Sequence, residues 1–169
     1  TLELHPKFSG IKRCTEKTVR YAGYCEKVNL LAECGLLSRD QMSFKGTSFT
    51  PFEVFSKIIY PKVRMSEDER DITVLRVIVR GEKDGDEVSY TFDMVDFYDE
   101  ERKVTSMART TSYTASIIVR MLGRGQISEK GFIPPVRVIR VGLLKQLLEE
   151  LAERNVVIKQ TVTCKSSTL

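Results

Sequence analysis

Residues 71–98 read DITVLRVIVRGEKDGDEVSYTFDMVDFY, and this stretch decides the fold. Asp84-Gly85 at its centre is a favoured two-residue turn between two runs rich in β-branched and aromatic residues. The pattern predicts a hairpin in which apolar residues face each other and opposite charges meet. The expected pairs are Leu75 with Met94, Val77 with Phe92 and Val79 with Tyr90 on one face, and Ile72 with Phe97, Val74 with Val95, Arg76 with Asp93 and Ile78 with Thr91 on the other.

The second face of this hairpin is apolar at its open end, where Ile72, Val74, Val95 and Phe97 would cluster. An exposed apolar cluster of this size indicates a surface that something covers. Helices on one face and a symmetric subunit on the other would satisfy it, so the sequence predicts a homodimer.

Other periodic segments lie before the hairpin. Two short strands are expected near Thr1–His5 and Thr15–Tyr21, and a helix over 24–37, which Gly35 helps to end. A second helix begins where Thr50 can cap, Pro51 suits the first position and Glu53 completes the reciprocal cap; Pro61 is expected to close it. Their core-facing residues are Val28, Leu31, Ala32 and Leu36 in the first, and Phe52, Phe55 and Ile59 in the second.

After the hairpin, the sequence predicts helices over 110–122 and 141–154 and a final strand over 156–162. This order predicts an α+β fold with a mixed, mainly antiparallel sheet covered by helices. One domain is expected over 1–162, followed by a polar tail over 163–169. The expected helix stripes are Tyr113, Ile117, Ile118 and Met121, then Leu144, Leu147, Leu148 and Leu151, with Lys145–Glu149 and Glu150–Arg154 pairs outside.

Composition narrows the class of protein. The 169 residues are 41% hydrophobic and 30% charged, with interleaved charges and a net charge of +4, which argues against a nucleic-acid surface. The chain begins at Thr1 with no leader and has no long apolar run, so we expect a cytoplasmic fragment of a larger protein that does not bind membranes. The four cysteines lack metal-site spacing and His5 is the only histidine, so we expect reduced thiols and no metal.

The segment Ser106–Ser112, which reads SMARTTS, carries one guanidinium and several hydroxyls where an extended run gives way to a helix. Unpaired N–H groups at a helix start carry partial positive charge, so this composition is typical of a carboxylate or phosphate site. Ordinary helix capping by hydroxyl residues explains the same pattern.

No residues of a self-sufficient enzyme accompany this segment. Gly123-Arg124-Gly125 follows a helix, and the sixth position is Ser128, so it does not fit a dinucleotide fingerprint. A nucleophile with a histidine base is absent as well, and the general acid or base stays unknown.

Four features in the same order resemble the C-terminal domain of saccharopine dehydrogenase-type enzymes. They are Arg20-Tyr21-Ala22-Gly23-Tyr24, a helix ending in Cys34-Gly35-Leu36-Leu37, the string SMARTTSYTA from Ser106 to Ala115, and Pro134-Pro135. Ala22 and Tyr24 depart from the proline and histidine common in that family, which puts a proton-transfer role at Tyr24 in doubt.

The resemblance implies a two-domain, Rossmann-type dehydrogenase of lysine metabolism, of which this chain is the substrate-binding and dimerisation domain. NAD or NADP would bind to the missing N-terminal domain, the reaction would involve the secondary amine (CH–NH) of an amino-acid conjugate, and the fragment alone would be inactive. The implied substrate-binding residues are Arg20, Tyr21, Arg109, Thr110, Thr111 and Ser112. Two alternatives remain: the corresponding domain of a carboxynorspermidine dehydrogenase-like enzyme, or a non-catalytic ligand-binding or dimerisation module of the same fold.

Overall fold

The computed structural model describes residues 10–66 and 69–165. Contacts between residues divide the chain into two compact units. We call them the helical unit, Ile11–Glu69, and the hairpin unit, Arg70–Leu169 together with Thr1–Gly10. The strand expected near Thr1–His5 lies outside the described residues.

The hairpin has the predicted register. Strands β3 (Ile72–Lys83) and β4 (Asp86–Phe97) pair antiparallel, from Ile72 opposite Phe97 to Lys83 opposite Asp86. Asp84 and Gly85 both have positive φ, 56° and 89°, as the two central residues of a tight hairpin turn of this kind require. The Arg76–Asp93 pair also forms, with Nε and Oδ1 2.6 Å apart.

A third strand completes the sheet of the hairpin unit. Strand β5 (Lys159–Lys165) pairs antiparallel with β4, and the strand order is β3-β4-β5. The prediction of a final strand is therefore right in kind, but the strand begins later than expected because Val156 is buried in the core instead. Residues 163–165, expected in the polar tail, belong to β5.

Three helices accompany the sheet: α3 (Ser106–Gly123), the short α4 (Pro135–Val138) and α5 (Val141–Ala152). Helix α3 contacts both β3 and β4, and also α5. The expected apolar side of α3 is confirmed, with Ile117 and Met121 fully buried. The core cluster consists of Met94, Ile117, Met121, Ile127, Leu147, Leu151 and Val156.

Two expectations for α5 are wrong. Leu144 was expected in the core but is 45% exposed, whereas Glu150 was expected outside but is 9% exposed. The side of α5 that meets α3 therefore includes Glu150 together with Leu147 and Leu151. Glu150 can occupy this position because three arginines approach its carboxylate.

The helical unit contains helix α1 (Tyr24–Glu33), a small hairpin of β1 (Met42–Phe44) and β2 (Thr47–Phe49), and helix α2 (Pro51–Val63). The predicted capping box of α2 is confirmed: the N–H of Glu53 donates to Thr50 Oγ1, and the N–H of Thr50 donates to Glu53 Oε2. Its expected apolar residues, Phe52, Phe55 and Ile59, are all partly buried.

Four details of the helical unit differ from expectation. Pro61 does not end α2, because in the last turn a proline removes only one helix bond, and the N–H of Arg64 still bonds to Tyr60. Helix α1 ends at Glu33 rather than residue 37, and Ala32 and Leu36 are exposed. The strand expected near Thr15–Tyr21 does not form, because no neighbouring strand in the described part of the chain pairs with it. The β1–β2 hairpin was not expected.

Candidate functional site

Helix α3 begins earlier than the sequence predicted. Its first residue is Ser106, and Thr105 caps it by accepting a hydrogen bond at Oγ1 from the N–H of Ala108, 3.2 Å away. The expected start near Thr110 is therefore wrong, since a cap that satisfies the helix start lies five residues upstream. The hydroxyls proposed as donors at a helix start lie instead within the helix.

An internal carboxylate occupies the start of α3. Asp71, which directly precedes β3, accepts hydrogen bonds from the N–H groups of Ser106 (2.6 Å) and Met107 (2.8 Å). A negative group at this position is favoured by the unpaired N–H groups and by the helix dipole. The anion site that the sequence suggests thus exists, and within the structure Asp71 fills it.

Arg109 is enclosed by backbone carbonyls and carboxylates. Its exposed fraction is 6%, and its guanidinium donates to the carbonyls of Phe97 (3.1 Å) and Arg154 (2.8 Å). Asp96 lies 3.5 Å and Asp99 3.8 Å from its nitrogens. Arg109 therefore connects the end of β4, the turn after it and the end of α5. Substrate binding by Arg109 stays a prediction, and this geometry gives the side chain a structural task.

The hydroxyls that follow Arg109 divide into two groups. Thr110 is partly buried and donates to the carbonyl of Ser106, 2.9 Å away, as hydroxyls within a helix often do. Thr111 and Ser112 are exposed on the helix surface, and the hydroxyl of Thr111 lies 3.9 Å from the sulfur of Met107. Thr111 and Ser112 are therefore the more accessible of the three hydroxyl residues.

Arg20 and Tyr21 lie in the helical unit, just before α1. Tyr21 is 91% exposed, and the guanidinium of Arg20, also exposed, lies 5.4 Å from the ring centre of Tyr24. Helix α1 starts after Gly23, whose φ is 78°, and no side chain caps it in the described structure. At this helix start the N–H of Tyr24 donates to the backbone carbonyl of Tyr21, 3.1 Å away. In contrast to α3, no carboxylate of the described residues accepts from it, and an exposed arginine lies beside it.

The glycines at the end of α3 do not form a dinucleotide-binding turn. Gly123 and Gly125 form the end of α3 and the turn after it, not a strand-to-helix turn, as the sequence indicated. No cluster of three or more possible metal ligands occurs within residues 10–66 and 69–165, and there the four cysteines are free, exposed thiols. No helix in the same ranges is long and apolar enough to cross a membrane.

Asp99 and Glu150 are among the carboxylates of the hairpin unit whose pKa values are lowered. The pKa of Asp99 is lowered mainly by the hydrogen bond from the N–H of Arg102, and further by the Arg102 guanidinium. The pKa of Glu150 is lowered mainly by the hydrogen bond from Gln146, with added attraction from Arg120, Arg124 and Arg154. Both groups are thus more acidic in the folded protein than in the unfolded chain.

Acidification should therefore destabilise the fold. A carboxyl group whose pKa is lower in the folded protein than in the unfolded chain stabilises the protein at pH values above its unfolded pKa. This contribution is lost as the pH falls through the folded pKa. The ordinary pKa values are 4.5 for a carboxyl group such as Glu150 and 3.8 for one such as Asp99. The loss of stability should therefore begin near pH 4.5 and continue below pH 3.8. Denaturant unfolding followed across this range should show it. A Glu150→Gln variant should have a shallower pH dependence, and an equal slope in variant and parent would contradict the assignment to Glu150.

Sequence reasoning missed Asp71 and Asp96 as partners of the α3 segment. A signal for Asp96 was present, because side chains alternate along a strand and the predicted register already placed Met94 on the helix-covered face. Asp96 shares that face, and a buried carboxylate needs a cation nearby. Asp71 gave no comparable signal, since a long-range cap depends on the three-dimensional path of the chain.

These features define a class of protein: an α+β domain with an antiparallel sheet, helices against it and, in the described part, no cofactor-binding unit of its own. The profile of the saccharopine dehydrogenase C-terminal domain matches residues 3–157. The chain belongs to this family, whose members are saccharopine dehydrogenase-like oxidoreductases generally dependent on NAD(P).

Proposed function

We propose that this chain is the substrate-binding and dimerisation domain of an NAD(P)-dependent oxidoreductase of lysine metabolism that acts on the secondary amine of an amino-acid conjugate. The family match over most of the chain supports the reaction class. A separate domain would hold the nicotinamide cofactor and supply hydride transfer. In this proposal the present domain binds the carboxylates of the substrate and orients its reacting carbon.

The observation that carries the proposal is the contrast between the two helix starts. Asp71 already fills the start of α3, and Arg109 has internal partners. No side chain within residues 10–66 and 69–165 caps the start of α1, and Arg20 and Tyr21 are exposed beside it. We therefore assign the main carboxylate contact to Arg20.

Binding of a carboxylate at the start of α1 depends on the positive charge of Arg20. The first turn of α1 contains the acidic Glu26, which would repel a substrate carboxylate. The guanidinium of Arg20 offsets that repulsion and can donate two parallel hydrogen bonds to one carboxylate. Tyr21 adds a hydroxyl donor. The exposed hydroxyls of Thr111 and Ser112, in the hairpin unit, stay separate candidates for a substrate contact.

Kinetics of the complete enzyme, with its cofactor domain, test this assignment. Arg20→Ala should raise the KM for saccharopine about tenfold to a hundredfold and change kcat little, because the lost charge-assisted hydrogen bonds contribute mainly to binding. Arg20→Lys should recover only part of the affinity, since lysine cannot form the bidentate pair.

Arg13→Ala is the matched control, because Arg13 is another exposed arginine of the same irregular segment before α1. Its KM should equal that of the parent. An equal rise in KM for both variants would assign the effect to general positive charge, and an unchanged KM for Arg20→Ala would remove Arg20 from the site.

A further inference from the structure

The outer edge of β3 is a long row of strand backbone. Strand β3 is the first of the three in the order β3-β4-β5, and no strand within residues 10–66 and 69–165 pairs with its other side. Its twelve residues span about 40 Å at the usual rise per residue. An exposed strand edge is a template for another strand, and proteins commonly use it for association.

Charges on the second face form rows across the sheet. One row contains Lys159, Asp93 and Arg76, in which the signs alternate. Another row contains Lys165, Glu87 and Glu82, so two carboxylates stand opposite each other at the outer edge. Like charges directly opposed in a sheet are unfavourable, and a cation beyond Glu82 would offset that repulsion.

We propose that β3 pairs antiparallel with β3 of a second copy of this chain, about a two-fold axis that passes beside Val79. Arg76 then stands opposite Glu82 of the partner subunit, and the symmetry repeats this contact. The two three-stranded sheets become one six-stranded sheet. In the first charge row, Arg76 then lies beside the carboxylate of Glu82 of the partner subunit. In the second row, Glu82 lies beside the guanidinium of Arg76 of the partner subunit, which offsets its repulsion with Glu87.

Six symmetric antiparallel registers pair at least seven residues of β3 and keep the second faces of the two copies on the same side of the joined sheet. Charge favours the one centred on Val79. Three other registers place arginine opposite arginine, and two place no opposite charges together. The repulsive registers are centred on Arg76, Ile78 and Arg80, and the neutral ones on Leu75 and Val77. In the register centred on Val79, two Arg–Glu pairs flank a central contact between two valines.

This inference rests on the homodimer of the proposed function and names its contact surface. The competing surface is the apolar second face at Ile72, Val74, Val95 and Phe97, all half or more exposed. The edge is the better candidate for a second copy because it offers both unpaired backbone groups and matched charges, whereas the apolar cluster offers no matched charges.

Sedimentation of the full chain over a range of concentrations tests the proposal. Glu82→Lys would place lysine opposite Arg76 of the partner subunit twice and should raise the dimer dissociation constant about tenfold or more. Within one chain the same substitution replaces the Glu82–Glu87 repulsion by an attraction, so the hairpin should not unfold.

Glu87→Gln is the matched control, because it removes the same repulsion, lies on the central strand, leaves Glu82 in place and puts no like charge opposite Lys165. Its dissociation constant should stay close to that of the parent. Equal dissociation of both variants, or a parent that is monomeric at all concentrations, would overturn the proposal. A dimer that is disrupted by Val74→Asp but not by Glu82→Lys would also overturn the proposal, because the second face would then be the interface. The KM effect of Arg20→Ala is measured separately, so loss of the interface proposal leaves the proposed activity testable.

Discussion

Replacing Arg109 by methionine is expected to lower the free energy of unfolding by about 3–5 kcal/mol. The change would leave the buried carboxylate of Asp96 without its cation and two carbonyls without their donor. Methionine has a similar volume, so most of the loss would reflect charge and hydrogen bonding rather than a cavity. Urea unfolding of the variant and the parent, monitored by circular dichroism, measures the difference.

Two controls separate this structural role from a general effect of arginine. Arg102→Met removes a mostly exposed arginine that pairs with the partly buried Asp99, and a pair that is open to solvent on the arginine side contributes only about 1 kcal/mol. Adding Asp96→Asn to Arg109→Met should recover part of the loss, because the second change removes the unpaired buried charge. If Arg109→Met is as stable as Arg102→Met, the internal contacts of Arg109 do not hold the fold, and a direct role with substrate becomes the better explanation.

Replacing Ile117 by alanine is expected to lower the free energy of unfolding by about 2–5 kcal/mol. Ile117 is fully buried in the core between the sheet and the helices, and removal of its side chain would leave a cavity that the surrounding residues fill only in part. The same urea experiment measures the loss.

Val119→Ala is the control for this prediction. Val119 lies two residues further along α3 on its exposed side, so the same kind of truncation should change stability by less than about 0.5 kcal/mol. Equal losses for both variants would mean that the core does not lie between α3 and the sheet.

The elements that the sequence predicts well are those fixed by neighbouring residues. The hairpin register follows from a two-residue turn and from paired charges, and the start of α2 follows from three residues that cap each other. The strand expected near Thr15–Tyr21 failed because a strand forms only with a partner strand, which local composition does not reveal. The β1–β2 hairpin was missed although Lys45-Gly46, both with positive φ, has the typical form of a hairpin turn.

The substrate-binding residues stay predictions, but the structure shows which internal partners the sequence did not reveal. An arginine and a helix start that attracts anions do occur together in the segment that begins at Ser106. Their partners, however, are Asp71 at the helix start and Asp96 beside the arginine, both brought there by the fold. Composition shows that a group can bind a carboxylate. It does not show whether that carboxylate belongs to a ligand or to the protein.

The cap that Asp71 provides has a consequence for solution conditions. A free phosphate or sulfate ion attracted to the start of α3 must compete with a carboxylate tethered at very high effective concentration. The intact domain should therefore not bind phosphate or sulfate ions at this position. A variant with a neutral residue in place of Asp71 would turn the same helix start into a vacant receptor for them.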